Sequence, residues 1–401
     1  MSETTSQPHT ALPVTGMPFV LILSALMAFT SLSTDIYLPA LPAMGKELHG
    51  NAELTITGFL LGFCIAQLFW GPVSDHFGRR KPLFVGMLLY IIGSAGCALS
   101  TDISHIVFWR VFQALGACTG PMLARAMIRD LFTRTRAAQM LSVLIMIMAV
   151  APIAGPLIGG QLIALASWHA IFWLLAILGT LMLISLYWLP ETLPVEKRVK
   201  ASPINAFKNY ARLVRNTVFM RFTLCLAFYY VGVYAFVAGS PFVYISYFGI
   251  NPQYYGWLFA VNIVGMVCVS QANRHLVRHN PLEKLLKIAA IIAAVAATIL
   301  AFSSFTHIGG VVVVVLSVLV YFSMNGIIAA GSTAAALDHA EGITGSASAL
   351  IGSLQYGSGI ISSLLLAAFN SGTAWTMGWI IWVFTLASLV MALTTRNSSH
   401  H

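Results

Sequence analysis

A chain of 401 residues in which 58% are hydrophobic and only 8% charged is not an ordinary soluble protein, where roughly 25% of residues carry charge. The formal net charge of +9 suggests nucleic acid until the basic residues are placed: of 21 Lys and Arg, all except Lys46 and Arg110 fall in alternate loops or at the C-terminus, on one side of a membrane. That asymmetry is the positive-inside pattern of a polytopic membrane protein, and it excludes nucleic acid as the partner.

The first seventeen residues carry no Lys or Arg, and the apolar stretch after them is longer than a signal-peptide core, so it reads as a retained span. At about twenty apolar residues per crossing, the sequence predicts spans at 17–43, 53–72, 82–100, 104–126, 138–161, 168–189, 221–247, 254–272, 285–304, 309–335, 345–368 and 373–394. The basic loops are GRRK after span two, Arg125 to Arg136 after span four, Lys197 to Arg221 after span six and Arg274 to Lys287 after span eight. An even number of crossings puts both termini on one side, and the charge assigns that side to the cytoplasm of a bacterial inner membrane. The expected fold is all-α: a tail at 1–16, a six-helix bundle at 17–195, a basic linker at 196–220, a second bundle at 221–395 and a tail at 396–401, where His400 and His401 resemble a tag remnant. A faint repeat of loop 71–81 at 271–284 supports two related halves about a central cavity, one rocking against the other.

Taken in order, the first chemical signal is Leu32–Pro42, which places Asp35 inside the first apolar segment. An acid at the centre of a membrane helix costs roughly 2.5–3.5 kcal/mol on insertion scales and is a functional-site hypothesis by default. If the helix leaves near Met44, Asp35 is about 13 Å short of the exit at 1.5 Å per residue, too deep for its side chain to reach water by snorkelling. The second signal is the loop Gly71-Pro72-Val73-Ser74-Asp75-His76-Phe77-Gly78-Arg79-Arg80-Lys81. Its glycines suit a tight turn, Asp75 suits hydrogen bonds from a helix N-terminus, and the basic run suits the inner surface. The third is Arg110 in span four, followed by Gln113; Asp35 and Arg110 both fall in the outer half of the bilayer, where they are expected to meet directly or through water. Such a pair suits switching, because protonating the acid removes its attraction to the guanidinium; a static pair joining two helices is the alternative. The fourth is Pro152, Gly155, Pro156, Gly159 and Gly160 in span five, small residues for close backbone approach and prolines for a bend.

The loop at 71–81 resembles the signature loop of the major facilitator superfamily. Together with Leu32–Pro42, the Arg110 segment, the Gly-Pro-x-x-Gly-Gly form of span five and Pro190-Glu191-Thr192-Leu193-Pro194 closing span six, it makes nearly the whole chain similar to the bicyclomycin/chloramphenicol-resistance group of drug:proton antiporters. The resemblance implies that Asp35 takes up the proton, that Arg110 tunes it, that Gly71, Asp75, Gly78, Arg79 and Arg80 belong to a conformational gate, and that the span-five segment is the antiporter motif. Some multidrug members carry a second acid one to two turns before the first. Here those positions hold Met27, Ala28, Thr30 and Ser31, which speaks against strong recognition of dications.

For the substrate surface there is only composition. Tyr229, Tyr230, Tyr234, Phe236 and Phe242 in span seven, Tyr255, Trp257 and Asn262 in span eight, and Gln355 and Tyr356 in span eleven suit a small, partly apolar ligand. Tyr37 and Gln113 join Asp35, Arg110, Tyr234, Asn262 and Gln355 as candidate contacts because they neighbour the buried charges along their helices. Cys64, Cys97, Cys118, Cys225 and Cys268 all lie in apolar segments and read as buried hydrophobes rather than disulfides or metal ligands. The expectation is a monomeric exchanger of inward protons for an outward small molecule, with no metal, no cofactor beyond the proton gradient and no enzymatic activity. A proton-coupled importer on the same fold is the alternative.

Overall fold

The computed structural model describes residues 16–132, 134–198, 200, 206–340 and 342–394, without side chains at 134–139, 141–143 and 145–147. Among the described residues 12 helical stretches are long and apolar enough to cross a membrane. A helix is the solution such segments are driven to, because in hydrocarbon each backbone N–H and C=O must find its partner within the segment.

The first half is built from α1 (Met17–Asp35), α2 (Leu41–Glu47), α3 (Leu54–Phe77), α4 (Arg80–Ala98), α5 (Ile103–Leu131), α6 (Arg134–Leu165) and α7 (Trp168–Ser185). A short helix, α8 (Ala206–Arg215), follows, and then come α9 (Thr217–Pro241), α10 (Pro252–Leu276), α11 (Leu282–Thr306), α12 (Gly310–Ser323), α13 (Asn325–Asp338), α14 (Thr344–Ala368) and α15 (Trp375–Thr394).

The first span, expected to be continuous, is broken where it matters. The α-helix stops at Asp35, a single 3-10 turn covers Leu38–Ala40, and α2 completes the crossing. Pro39 is the cause: it has no N–H for the carbonyl four residues back, which is that of Asp35, and its ring would clash with that carbonyl. The tenth span likewise divides into α12 and α13 at Met324, and the seventh ends in a π-helical turn over Phe242–Tyr247 directly after Pro241.

The loop motif also folds differently from its reading as a turn between two glycines. Gly71 and Pro72 lie inside α3, which runs on to Phe77, so only Gly78 and Arg79 make the turn. A methyl group built on Gly71 meets no atom within 4 Å, whereas Gly78 holds φ +92° and a Cβ there would lie 2.6 Å from the Glu191 carboxylate. Gly78→Ala is therefore expected to cost about 1–3 kcal/mol, the range for a residue forced into a glycine-only backbone region. Gly71→Ala should be neutral or gain up to about 1 kcal/mol. Thermal melting of the two purified variants checks the contrast.

The halves meet along two seams. On the seam of α3 with α14, the Asn51 amide donates to the Ala367 carbonyl, the Thr57 and Ser363 hydroxyls share a hydrogen bond of 2.6 Å, and the Ser353 hydroxyl donates to the Cys64 carbonyl. On the other, α6 lies against α10, with Gly160 beside Pro252 and Gly256 beside Leu157. The stretch expected to be a plain linker carries a structured element. In α8, Tyr210 and Leu213 are buried, the Tyr210 hydroxyl donates to the Leu68 carbonyl of α3 at 3.0 Å, and Asn209 reaches Ser346 of α14. Burial lifts the Tyr210 hydroxyl to a pKa of about 12, so this bond keeps its proton at any physiological pH. The cysteines are unpaired, with Cys97, Cys118 and Cys225 buried as expected, Cys64 half-buried and Cys268, against expectation, exposed on the outer side of α10.

Candidate functional site

Asp35 ends α1 and is 7% exposed. Its carboxylate accepts from the Thr34 hydroxyl at 3.0 Å. Pressed against this turn is α6. A Cβ on Gly155 would lie 3.4 Å from the Asp35 Cβ and 3.3 Å from the Ile36 nitrogen, and one on Gly159 would collide outright with the Ile36 carbonyl oxygen. The glycines of the Gly-Pro-x-x-Gly-Gly segment thus permit the backbone of α6 to lie on the turn that carries the acid, while Gly160 turns toward Pro252 in the second half. Pro152 and Pro156 are accommodated within α6. We expect Gly159→Ala to displace the Ile36 peptide and with it Asp35. Proton-driven transport should fall at least tenfold while the variant still inserts and melts within a few degrees of the parent, as read by vesicle assay and thermal denaturation.

Arg110 on α5 is wholly enclosed, and the structure corrects the expectation that it meets Asp35 directly. Among the described residues no ion pair joins the two. Instead, one guanidinium nitrogen donates to the Ser33 carbonyl at 3.0 Å and to Gln113 Oε1, and Nε approaches the Thr55 carbonyl at 3.5 Å. The guanidinium lies 4.3 Å from the ring centre of Tyr37 and 4.4 Å from that of Phe59, distances at which the cation is held by the ring faces. Ser33 is in the last turn of α1, whose terminal carbonyls have no partner within the helix. Arg110 therefore caps the broken helix, and its positive charge suits a helix C-terminus.

Tyr37 and Gln113 belong to the same enclosure. Both are 0% exposed; the Tyr37 hydroxyl pairs with Thr55 Oγ1, and the Gln113 amide donates to Ser94 Oγ. They pack around Arg110 within the first half, wholly enclosed. Asn262 is 1% exposed, with its amide donating to the Leu258 carbonyl of its own helix and its Oδ1 unpartnered.

An aromatic cluster joins α9 and α14 of the second half to α3 of the first. The Tyr234 ring centre is 6.0 Å from that of Tyr230 and 6.2 Å from that of Tyr356, which in turn packs on Phe63 at 4.1 Å. Gln355, next to Tyr356 in α14, is half-buried. The other aromatics proposed from composition are structural: Tyr229 and Tyr321 donate to each other's backbone carbonyls at 2.7 Å, Tyr255 pairs with Ser240, and Trp257 is 62% exposed on the outer surface of α10.

At the basic end of the first half, Asp75 does not cap a helix but pairs with Arg79 at 2.6 Å, and Arg79 reaches both carboxylate oxygens of Asp130. Burial pulls the Arg79 guanidinium down, but the Asp130 and Asp75 carboxylates outweigh it and raise its pKa. The helix N-terminus is capped by Glu191 instead: its oxygens accept from the Arg79 and Arg80 backbone nitrogens at 2.9 and 3.1 Å, where a negative charge is favoured. Thr192 donates to Asp130, and Arg80 donates to the Leu186 and Tyr187 carbonyls. Sequence reasoning quoted Glu191 and Thr192 only as the close of span six and passed over Asp130. An acid at the end of α5 and another just past span six, both on the side of the basic loops, were the available signals.

Arg125, at the end of the predicted span 104–126 and the start of the predicted basic loop, lies within α5, which runs on to Leu131. It is exposed there, and its Nε donates to the Pro121 carbonyl at 3.0 Å.

A family profile described as Major Facilitator Superfamily matches residues 23–363. An uncharacterised MFS-type transporter of Bacillus subtilis, YdgK, is 37% identical over 369 residues, covering 90% of this chain and 91% of its own. A protein of Haemophilus influenzae named bicyclomycin resistance protein homolog is 28% identical over 390 residues, covering 94% of this chain and 96% of its own. Among solved structures, a partially occluded inward-open conformation of the xylose transporter XylE from E. coli superposes with a TM-score of 0.70 at 16% identity, over 96% of this chain and 98% of that one, a likeness of fold alone.

Proposed function

The chain belongs to the Major Facilitator Superfamily, and we propose that within it the protein exports small, partly apolar organic compounds in exchange for protons. The observation that carries this reading is the seating of Gly155 and Gly159 against the Asp35 turn. It ties Asp35, an acid buried among the spans of the first half, to α6, which packs on α10 of the second half and must move with the seam. The relative named as a bicyclomycin resistance protein homolog supports drug-like substrates. The cluster of Tyr230, Tyr234, Gln355 and Tyr356 offers them ring faces and a few polar groups.

In the proposed cycle Asp35 is ionised when the cavity opens to the basic, cytoplasmic end, and substrate binds across it against the α9 and α14 aromatics. The halves rock, a proton from the outer side neutralises Asp35, and the substrate leaves. The protonated form returns. Each step draws only on the proton gradient, and one chain holds every group it needs. The Asp75–Arg79–Asp130 cluster, with Glu191 and Thr192, ties the ends of four helices of the first half, so that this half turns as one body. Inside-out vesicles test the direction: acidifying the lumen should drive uptake of an exported compound, whereas an importer would accumulate it only under the reversed gradient.

A further inference from the structure

Where α8 meets α9 the structure opens a cleft of about 340 Å³ that the export cycle does not use. Its volume is within the range of small-molecule sites. One wall is the end of α8 and the residue after it, with Arg212, Leu213, Arg215 and Asn216; the other is the connection from α13 to α14, with His339 and Ile343. The walls are joined, since the Asn216 amide donates to the His339 carbonyl at 3.1 Å. Each is also held by its own contacts: Leu213 is buried, and the His339 ring lies with Nδ1 2.9 Å from the Ala335 carbonyl and stacks on Phe222. Arg212 and Arg215 stand three residues apart on one helix, where like charges repel. Among the described residues no carboxylate lines the cleft, and neither guanidinium enters an ion pair. Glu341 of the same connection lies outside the described residues.

The chemistry such a cleft selects is that of a phosphate anion, because two guanidinia bring rigid forks of N–H donors that match phosphate oxygens. Its level in the fold says where that phosphate comes from. The spans α9 and α14 begin at Thr217 and Thr344, so the cleft lies where two crossings start, at the depth of lipid headgroups on the side of the basic loops. Val218, two residues past Asn216, is apolar and 41% exposed, and it offers an acyl chain a surface beside the cleft. Basic pockets between spans on the cytoplasmic side suit anionic headgroups. We propose that the cleft binds an anionic phospholipid, with the phosphate between Arg212 and Arg215 and the chains along the start of α9. Assigning that lipid to the cytoplasmic leaflet rests on the orientation given with the export reading; the binding itself does not.

Native mass spectrometry of the purified full-length protein, held in neutral detergent with equal amounts of phosphatidylglycerol and phosphatidylcholine, tests the assignment. The parent should retain phosphatidylglycerol with about tenfold preference over phosphatidylcholine, whose choline cation the guanidinia repel, the yield of a charge-assisted contact in a partly solvated site. Arg212→Gln combined with Arg215→Gln should bring phosphatidylglycerol to the level of phosphatidylcholine. Arg274→Gln combined with Arg278→Gln, which removes the same charge from exposed positions at the end of α10, should leave the preference intact. Replacing chloride with inorganic phosphate at equal ionic strength should not displace the lipid. Equal retention of the two lipids by the parent, no retention of phosphatidylglycerol, the same loss of preference in both double variants, or displacement by inorganic phosphate, which would make a soluble anion the occupant, would overturn the proposal. Gradient-driven export by the parent in vesicles reports on the export reading separately, and its failure would leave the lipid preference untouched.

Discussion

Asp35→Asn should insert, fold and still exchange substrate down its own gradient, yet in vesicles carrying a pH gradient its uphill transport should fall to the level of protein-free vesicles. Asparagine keeps an oxygen to accept from the Thr34 hydroxyl and matches the carboxyl in volume, so stability should change by no more than about 1 kcal/mol. It cannot take up a proton. Since α1 breaks at this residue and α6 lies on the break, removing the titration leaves the geometry and takes away the coupling. Uphill, proton-coupled efflux at the parental rate in Asp35→Asn would refute the assignment of Asp35. A survey of drug tolerance in an efflux-deficient bacterial host, parent against Asp35→Asn, would name the compounds concerned.

The larger loss of stability is expected at Arg110. Arg110→Ala leaves the Ser33 carbonyl and Gln113 Oε1 without the donor they share and opens a void between the rings of Tyr37 and Phe59. Unpaired buried polar groups and an unfilled cavity together cost about 3–5 kcal/mol. Arg110→Lys should fall between, since an ammonium cannot serve two carbonyls and an amide at once in one plane. The background decides what the arginine is for. If it holds the end of α1, most of the loss persists in Asp35→Asn; if it served chiefly as a counter-ion to Asp35, that background would abolish most of it. Thermal denaturation of the four proteins in detergent gives the answer.

The spans and their number were legible because hydrocarbon imposes one simple rule, about twenty apolar residues per crossing, on each of them. The closeness of the Gly155 segment to Asp35 was not readable from either segment alone, as it depends on which faces of α1 and α6 meet. The helix break, in contrast, was present in the sequence: Pro39 stands four residues after Asp35, and the rule that proline frees the carbonyl four back places the acid at a helix end. Arg110 was recognised as buried, but its direct contacts with the Ser33 carbonyl and Gln113 were not foreseen, because charge pairing is the first expectation for two opposite charges and carries no information on whether a backbone carbonyl lies nearer. Tyr37 and Gln113 followed Arg110 into the interior for the same reason: proximity along a helix does not tell which side of the bundle a residue lines.

A second consequence of the break concerns what a proton does on arrival. Among the described residues no hydrogen bond runs from Arg110 to Asp35, whose carboxylate accepts from Thr34 of its own helix, so neutralising the acid breaks no direct bond between these two spans.

The helix between the bundles sets a mechanical condition on all of this. With Tyr210 hooked on Leu68 and Asn209 on Ser346, the connector is a clasp over the joint rather than slack cord. Any swing that parts α3 from α14 at that level must first unfasten one side of it, so the clasp has a say in how long the transporter rests between strokes.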